Sequence, residues 1–127
     1  MTLKILSAKE YNIKLKGTIH ASGRFGFTEA TAKELKLTNK SAVKFAIDED
    51  DNGALYLINC ETPDEDAFKV LKAGNYFSIN AKPLFDSLGL DYKNQNVMFD
   101  MMKVENIGED EVYKLLKRQT PRKQKDG

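Results

Sequence analysis

Apolar and small residues alternate with polar ones early in the chain, and this alternation predicts β-strands. From Ile13 to Phe27 they occupy every odd position, which is the period of a strand with one buried face. Glycines inside this run predict a bend or a bulge, so the pattern fits either two strands or one bent strand. Alternation over 43–47, a polar run over 48–53 and an apolar segment over 54–58 predict a β-hairpin.

Helix signals separate these strands. Thr28 can cap a short helix over 29–36, which contains good helix-forming residues. A capping box over 62–65 places a proline at the first helical position, and an apolar stripe follows it. The segment 63–73 is therefore predicted to be a second helix.

The second half of the chain repeats the pattern of the first. A short strand is predicted over 76–79, and Asn80 can cap a helix that continues to Leu88. Alternation returns over 97–101, and 112–115 has the composition of a closing strand. The segment 109–118 also fits a helix, since acidic residues precede it and basic residues follow it, so both alternatives stay open.

These elements predict a mostly β fold with short helices, built from two β-α-β-β halves that form one swapped-hairpin-like barrel. One domain is predicted over 1–113, with halves at about 11–60 and 75–116 joined by the helix 63–73. Neither half can bury its apolar face alone, so the two must share one core. Residues 117–127 are predicted to form a disordered basic tail, since they contain almost no apolar side chains.

Charge is unevenly distributed along the 127 residues. The 20 Lys and Arg side chains nearly balance the 19 Asp and Glu side chains. However, residues 114–127 have six basic groups against one acidic group, whereas residues 1–113 have 14 against 18. One Cys and one His exclude internal disulfides and Cys/His zinc sites, and a reducing cytoplasmic location is expected. No apolar run approaches the ~18 residues of a membrane span, so no membrane partner is expected.

Motifs for catalysis and for cofactors are missing from the sequence. It has no glycine-rich phosphate loop, no His-Glu-x-x-His and no Gly-x-Ser-x-Gly, so we expect neither enzyme activity nor a cofactor. Asp48-x-Asp50-x-Asn52-Gly53 matches the first half of a calcium loop, but position 12 is Asn59 instead of glutamate. A hairpin turn with solvated carboxylates is the better interpretation, and no metal is expected.

One ordered series of residues resembles a known family. It comprises Gly23-Arg24 followed by alternating apolar residues, Leu35-x-Leu37, the strand 43–48 and the segment 53–57. Over 17–58 this series is similar to the swapped-hairpin family of AbrB, MazE and SpoVT N-terminal domains, and the second half resembles an in-chain copy, as in the tandem MraZ branch. The resemblance implies a DNA-binding barrel, and a transcriptional regulator is one expected role.

The resemblance and the basic tail together indicate the residues that would contact DNA. Arg24 follows a glycine at a bend, where its guanidinium could reach a phosphate or could instead pair with a carboxylate. The second copy has Gly74-Asn75 at the corresponding position, without an arginine. The predicted nucleic-acid-binding residues are all basic side chains: Lys14, Lys16, His20, Arg24, Lys33, Lys117, Arg118, Arg122 and Lys123.

A second functional class is compatible with the same fold. The acidic balance of residues 1–113 opposes DNA binding unless charge is segregated. The alternative is a protein-interaction module, antitoxin-like or a scaffold, that binds no DNA. Because a duplicated chain closes the barrel by itself, a monomer or a weak homodimer is expected.

Overall fold

Eight antiparallel strands close into a barrel in the computed structural model, which describes residues 1–6, 8 and 14–122. Strands account for 51% and helices for 11% of the residues, which confirms the mostly β prediction. The elements in chain order are β1 (Leu15–Ile19), β2 (Arg24–Phe27), α1 (Glu29–Glu34), β3 (Ala42–Asp48), β4 (Ala54–Cys60), β5 (Phe68–Ala73), β6 (Tyr76–Asn80), α2 (Lys82–Ser87), β7 (Gln95–Ile107) and β8 (Asp110–Pro121).

The chain contains two halves of identical element order, β-β-α-β-β, so each predicted β-α-β-β half has one additional strand at its start. The first half runs from β1 to β4 and the second from β5 to β8, so the second half begins at residue 68 instead of 75. The order around the barrel is β1-β2-β6-β5-β3-β4-β8-β7. Exchanging β1–β4 with β5–β8 leaves every neighbour relation unchanged. The barrel therefore has a pseudo-two-fold topology, and the hairpins of the two halves interleave.

Five phenylalanine rings form the centre of the barrel. The Phe25 ring lies with its centroid 5.1 to 6.2 Å from the rings of its neighbours. Gly17 of β1 faces it, and a Cβ atom there would collide with the Phe25 ring. Alternation of apolar side chains on the strands thus fills one shared core, as expected. The five rings belong to Phe25, Phe27, Phe45, Phe85 and Phe99.

The two short helices follow corresponding strands and close opposite ends of the barrel. Thr28 caps α1 as predicted, since its Oγ1 accepts a hydrogen bond from the Thr31 N–H at 3.3 Å. The buried Thr31 hydroxyl in turn ties α1 to β1 through both the N–H and the carbonyl of Lys16. The N-cap of α2 is Ala81, without a side-chain cap, so the prediction of Asn80 as the cap was wrong.

The predicted helix 63–73 is wrong. Residues 64–67 form a turn in which Asp64 Oδ1 accepts from the Asp66 N–H, and β5 follows. Within β5, Val70 is buried and Lys69 and Leu71 are exposed, which is strand periodicity. Pairing with β3 on one side and β6 on the other outweighs the local helix signals, because barrel closure requires this strand.

The structure of the basic segment at the carboxyl end also differs from the prediction. Residues 117–121 are not a disordered tail but belong to β8, where they pair with β7. This pairing also settles the open choice over 109–118 in favour of a strand. The domain therefore extends at least to Arg122, beyond the expected boundary at 113. Residues 123–127 lie outside the described part of the chain.

The β7–β8 hairpin is much longer than its counterpart β3–β4. β7 has 13 residues and β8 has 12, whereas β3 and β4 have seven each. Residues 103–107 of β7 continue beyond Met101, the last residue of β7 that pairs with β1, and form a projecting segment that we call the arm. A register shift between Lys103 and Glu105 bends it.

Each described helix has six residues. Neither is long enough to cross a membrane.

Candidate nucleic-acid interface

Four neighbouring strands of the barrel contain no carboxylate, and three of them carry basic side chains. These strands, β1, β2, β6 and β5, form what we call the basic sheet. Of the remaining four strands, β3, β7 and β8 contain carboxylates as well as basic groups, and β4 has no charged side chain. Charge is therefore segregated within a body whose balance is acidic. The basic residues of the sheet are Lys16, Arg24, Lys69 and Lys72.

Arg24 lies near the centre of this sheet and is exposed. It begins β2, where the neighbouring Phe25 points into the core, so its side chain projects from the outer face. Its register partner on β6 is Asn80. On the other side, the Arg24 carbonyl accepts a hydrogen bond from the His20 N–H at 2.8 Å, which closes the β1–β2 turn. The predicted neighbours Arg24 and His20 are thus brought together.

His20 does not act alone, because a tyrosine from the other half of the chain reaches it. The Tyr76 hydroxyl lies 2.5 Å from His20 Nε2. Burial raises the pKa of the Tyr76 hydroxyl, while the positive charge of Arg24 opposes that rise. Tyr76 is 41% exposed, so it presents an aromatic ring beside Arg24 on the outer face.

Gly26 makes this arrangement possible. A Cβ atom at this position would collide with the Tyr76 hydroxyl and would lie 2.8 Å from His20 Nε2. Because glycine has no side chain, the Tyr76 ring can cross β2 and reach β1. The result is a continuous polar and aromatic surface over three strands.

Lys16 and Arg118 come close together, but a carboxylate lies between them. Lys16 of β1 pairs in register with Asp100 of β7. Asp100 Oδ1 in turn accepts from Arg118 Nη2 of β8 at 2.8 Å. Asp100 therefore neutralises the charge of Arg118 locally.

The Arg122 side chain is held against the barrel by hydrogen bonds. Its guanidinium donates to the carbonyl of Tyr92 from both Nε (3.0 Å) and Nη2 (2.8 Å), and its Nη1 donates to Asn96 Oδ1 at 3.1 Å. A longer bond of 3.4 Å connects Nη2 with the carbonyl of Ile19. These acceptors occupy the guanidinium, so Arg122 ties the end of β8 to the barrel instead of facing solvent.

The other predicted residues are dispersed. Lys33 is on α1, which begins after the end of β2 opposite to Arg24. Its ammonium forms an ion pair with Glu29 at 3.2 Å. Lys117 lines an apolar depression together with Phe99 and Leu115, away from the basic sheet. Lys14 is exposed just before β1. Lys123 lies outside the described residues.

Sequence reasoning missed Tyr76 and Lys69 as members of this surface. Tyr76 lies in the predicted strand 76–79, where the sequence alone favours a core position because strand aromatics are usually buried. Lys69 was assigned to the helix 63–73, so no sheet position could be given to it. The available signal for two adjacent strands is the turn dipeptide Gly74-Asn75, and in the structure Gly74 adopts a φ of +61°.

An acidic groove lies at the α1 end of the barrel. It has a volume of about 620 Å³ and is lined by four glutamates and two lysines, together with Cys60. Burial raises the pKa of the Cys60 thiol. The groove receives residues from β4, β8 and the loop before β3, so acidic and basic surfaces occupy separate parts of the molecule. The glutamates are Glu34, Glu61, Glu109 and Glu111.

Comparisons of the chain with protein-family models, with curated proteins and with solved structures found no match.

Proposed function

We propose that this protein binds DNA through the basic sheet. One observation carries the proposal: β1, β2, β6 and β5 are adjacent and together contain four basic side chains and no carboxylate. Phosphate contacts supply a large part of the affinity for nucleic acid, and a surface free of carboxylates avoids repulsion of the DNA backbone. A regulatory role in the cytoplasm, as the resemblance to the AbrB-like family implies, is the corresponding biological proposal.

Arg24 and Lys69 are the phosphate-binding groups in this proposal. Adjacent strands are about 4.8 Å apart, so the backbones of β2 and β5, which carry these two residues, are about 10 Å apart across β6. Asn80 and Tyr76 lie on β6, between the strands of these two cations, and can donate hydrogen bonds to phosphate or sugar oxygens. The interleaved hairpins of the two halves also support the resemblance, since that family is expected to build its DNA-binding barrel in this way.

Fluorescence anisotropy with a short labelled duplex, over a range of salt concentrations, tests the proposal. Affinity should fall steeply with salt, and Arg24→Ala should weaken binding and reduce the slope of log K against log salt by about one. Lys69→Ala should have a similar effect. Lys40→Ala is the matched control, because it removes one positive charge from an exposed loop outside the basic sheet. Absence of binding at low ionic strength, or equal losses for all three variants, would contradict the proposal.

A protein-interaction module is the second candidate. The observation that favours it is a group of exposed apolar side chains on the β7–β8 hairpin, including Met102, Val104 and Ile107. Pull-down with wild-type protein and with Arg24→Ala separates the two candidates. Recovery of one protein partner by both forms, without any DNA binding, would favour the interaction module.

A further inference from the structure

The outer face on the opposite side of the barrel from the basic sheet contains an apolar groove. Its floor consists of side chains from β3, β4, β8 and the arm, and its volume is about 460 Å³. Ile47, Val104 and Ile107 at its margins are 47%, 45% and 58% exposed. Contiguous apolar surface of this kind is characteristic of a docking site. The apolar lining residues are Ala46, Ile47, Tyr56, Ile58, Val104, Ile107 and Val112.

One edge of the groove is an unpaired strand edge. β7 pairs with β1 only as far as Met101, whereas it pairs with β8 up to Ile107. Within the described residues, the outer edge of 103–107 therefore has no neighbouring strand. The N–H and C=O groups on this edge pair with no other strand of the described residues, and they can accept an extended peptide, which adds main-chain hydrogen bonds to any apolar contact.

The same chain contains an apolar segment that is itself uncovered. Leu3, Ile5 and Leu6 are 80%, 90% and 64% exposed. Leu3 and Ile5 alternate with polar Thr2 and Lys4, so an extended backbone presents them on one face. Burial of the groove and the segment against each other would lower the free energy, because each exposes aliphatic side chains to water.

Charge on the two surfaces is complementary. Asp48 and Glu105 line the groove, and neither is in an ion pair among the described residues. The acidic turn Glu49–Asp51 adjoins Asp48. Lys4 is the charged residue of the segment Met1–Leu6. Acidic side chains at the margin of an apolar floor are electrostatically complementary to an apolar segment that carries a lysine.

We propose that the segment Met1–Leu6 of a second copy of this chain docks in the groove, and that the exchange is reciprocal. In a single chain the segment remains exposed, so its own groove does not receive it. A two-fold dimer gives both segments and both grooves the same contact, which is the isologous arrangement of most homodimers. The dimer leaves the basic sheet free, so this inference does not depend on DNA binding.

Sedimentation velocity of the full-length chain over a concentration series tests the exchange. Wild type should shift from monomer to dimer with increasing concentration. Two variants should each weaken dimerisation by tenfold or more: Leu3→Asp combined with Ile5→Asp in the segment, and Ile107→Asp in the groove. Leu71→Asp is the control, because Leu71 is 42% exposed on β5, outside the groove. All three sites are exposed, so folding should be retained, and circular dichroism checks this.

A mixture of the two variants gives the decisive result. The Ile107→Asp chain retains an intact segment, and the Leu3→Asp/Ile5→Asp chain retains an intact groove. Their mixture should form a heterodimer that neither variant forms as a homodimer. A wild-type chain that remains monomeric at the highest concentration overturns the proposal. A dimer that survives the segment substitutions also overturns it, and would assign the groove to another occupant.

Discussion

Tyr76 and His20, which belong to different halves of the chain, meet above Gly26 with 2.5 Å between the hydroxyl and Nε2. This contact connects β6 with the end of β1 across the intervening strand β2. It also places an aromatic ring and an imidazole beside Arg24, on the surface that we propose binds DNA. The geometry depends on the absence of a side chain at residue 26.

Gly26→Ala should therefore displace the Tyr76 ring from His20 and destabilise the fold. The added methyl group collides with the hydroxyl, and overpacking of this kind costs about 1–3 kcal/mol. Urea unfolding measures the free energy. Tyr76→Phe is the control, because it removes the colliding oxygen, so the combination of Gly26→Ala with Tyr76→Phe should recover part of the loss. If the changes in unfolding free energy of the two single variants simply add in the double variant, the two residues are not coupled.

Arg122→Ala should destabilise the protein far more than Arg118→Ala does. Arg122 donates to the Tyr92 carbonyl and to Asn96, and loss of such charge-assisted hydrogen bonds from a half-buried site costs about 2 kcal/mol. Arg118 forms an exposed ion pair with Asp100, which is worth about 0–1 kcal/mol. Thermal unfolding of both variants measures the difference. Equal effects would indicate that the end of β8 is not fixed to the barrel.

Much of the fold can be predicted from the local pattern of apolar and polar residues. Alternation in 13–27, 43–47 and 97–101 and the apolar run 54–58 predict strands, and within the described residues the structure has β1, β2, β3, β7 and β4 there. The Thr28 cap correctly places α1. The internal repeat is also visible in the sequence, although its second copy begins earlier than expected. These features could be predicted because each depends on neighbouring residues and on one buried face per strand.

The errors occur where distant partners decide the structure. Residues 68–73 have a capping box before them, yet β3 and β6 require a strand there. The end of β8 lacks apolar side chains, and its order comes from backbone pairing with β7 and from the contacts of Arg122 with Tyr92. At the candidate site, Arg24 and His20 flank one turn and could be paired in advance. Tyr76 joins them from 56 residues away, and no local pattern indicates that contact.

Val70→Ala and Leu71→Ala test the revised assignment of 68–73. As parts of an apolar helix stripe the two side chains would both be buried, whereas in β5 Val70 faces the core at 3% exposure and Leu71 faces solvent at 42%. We therefore expect Val70→Ala to cost about 2 kcal/mol and Leu71→Ala to cost about 0.5 kcal/mol or less. Chemical denaturation of the two variants measures this ratio. Similar losses would contradict the strand.

Asp86 should make stability depend on pH in the acid range. The Lys82 ammonium, at 2.7 Å, and the Tyr92 hydroxyl lower the pKa of the Asp86 carboxyl below its usual range. Its contribution to stability is therefore complete above the unfolded-state pKa of about 4 and is lost as the pH falls through the lower folded-state pKa. Asp86→Asn should be less stable than wild type at neutral pH, and the difference should narrow as the pH falls below about 4. Lys82→Met, which removes the main cause of the shift, should reduce the same pH dependence. Free energies of unfolding measured from neutral to acid pH test this, and a constant difference between wild type and Asp86→Asn would exclude the role of the carboxylate.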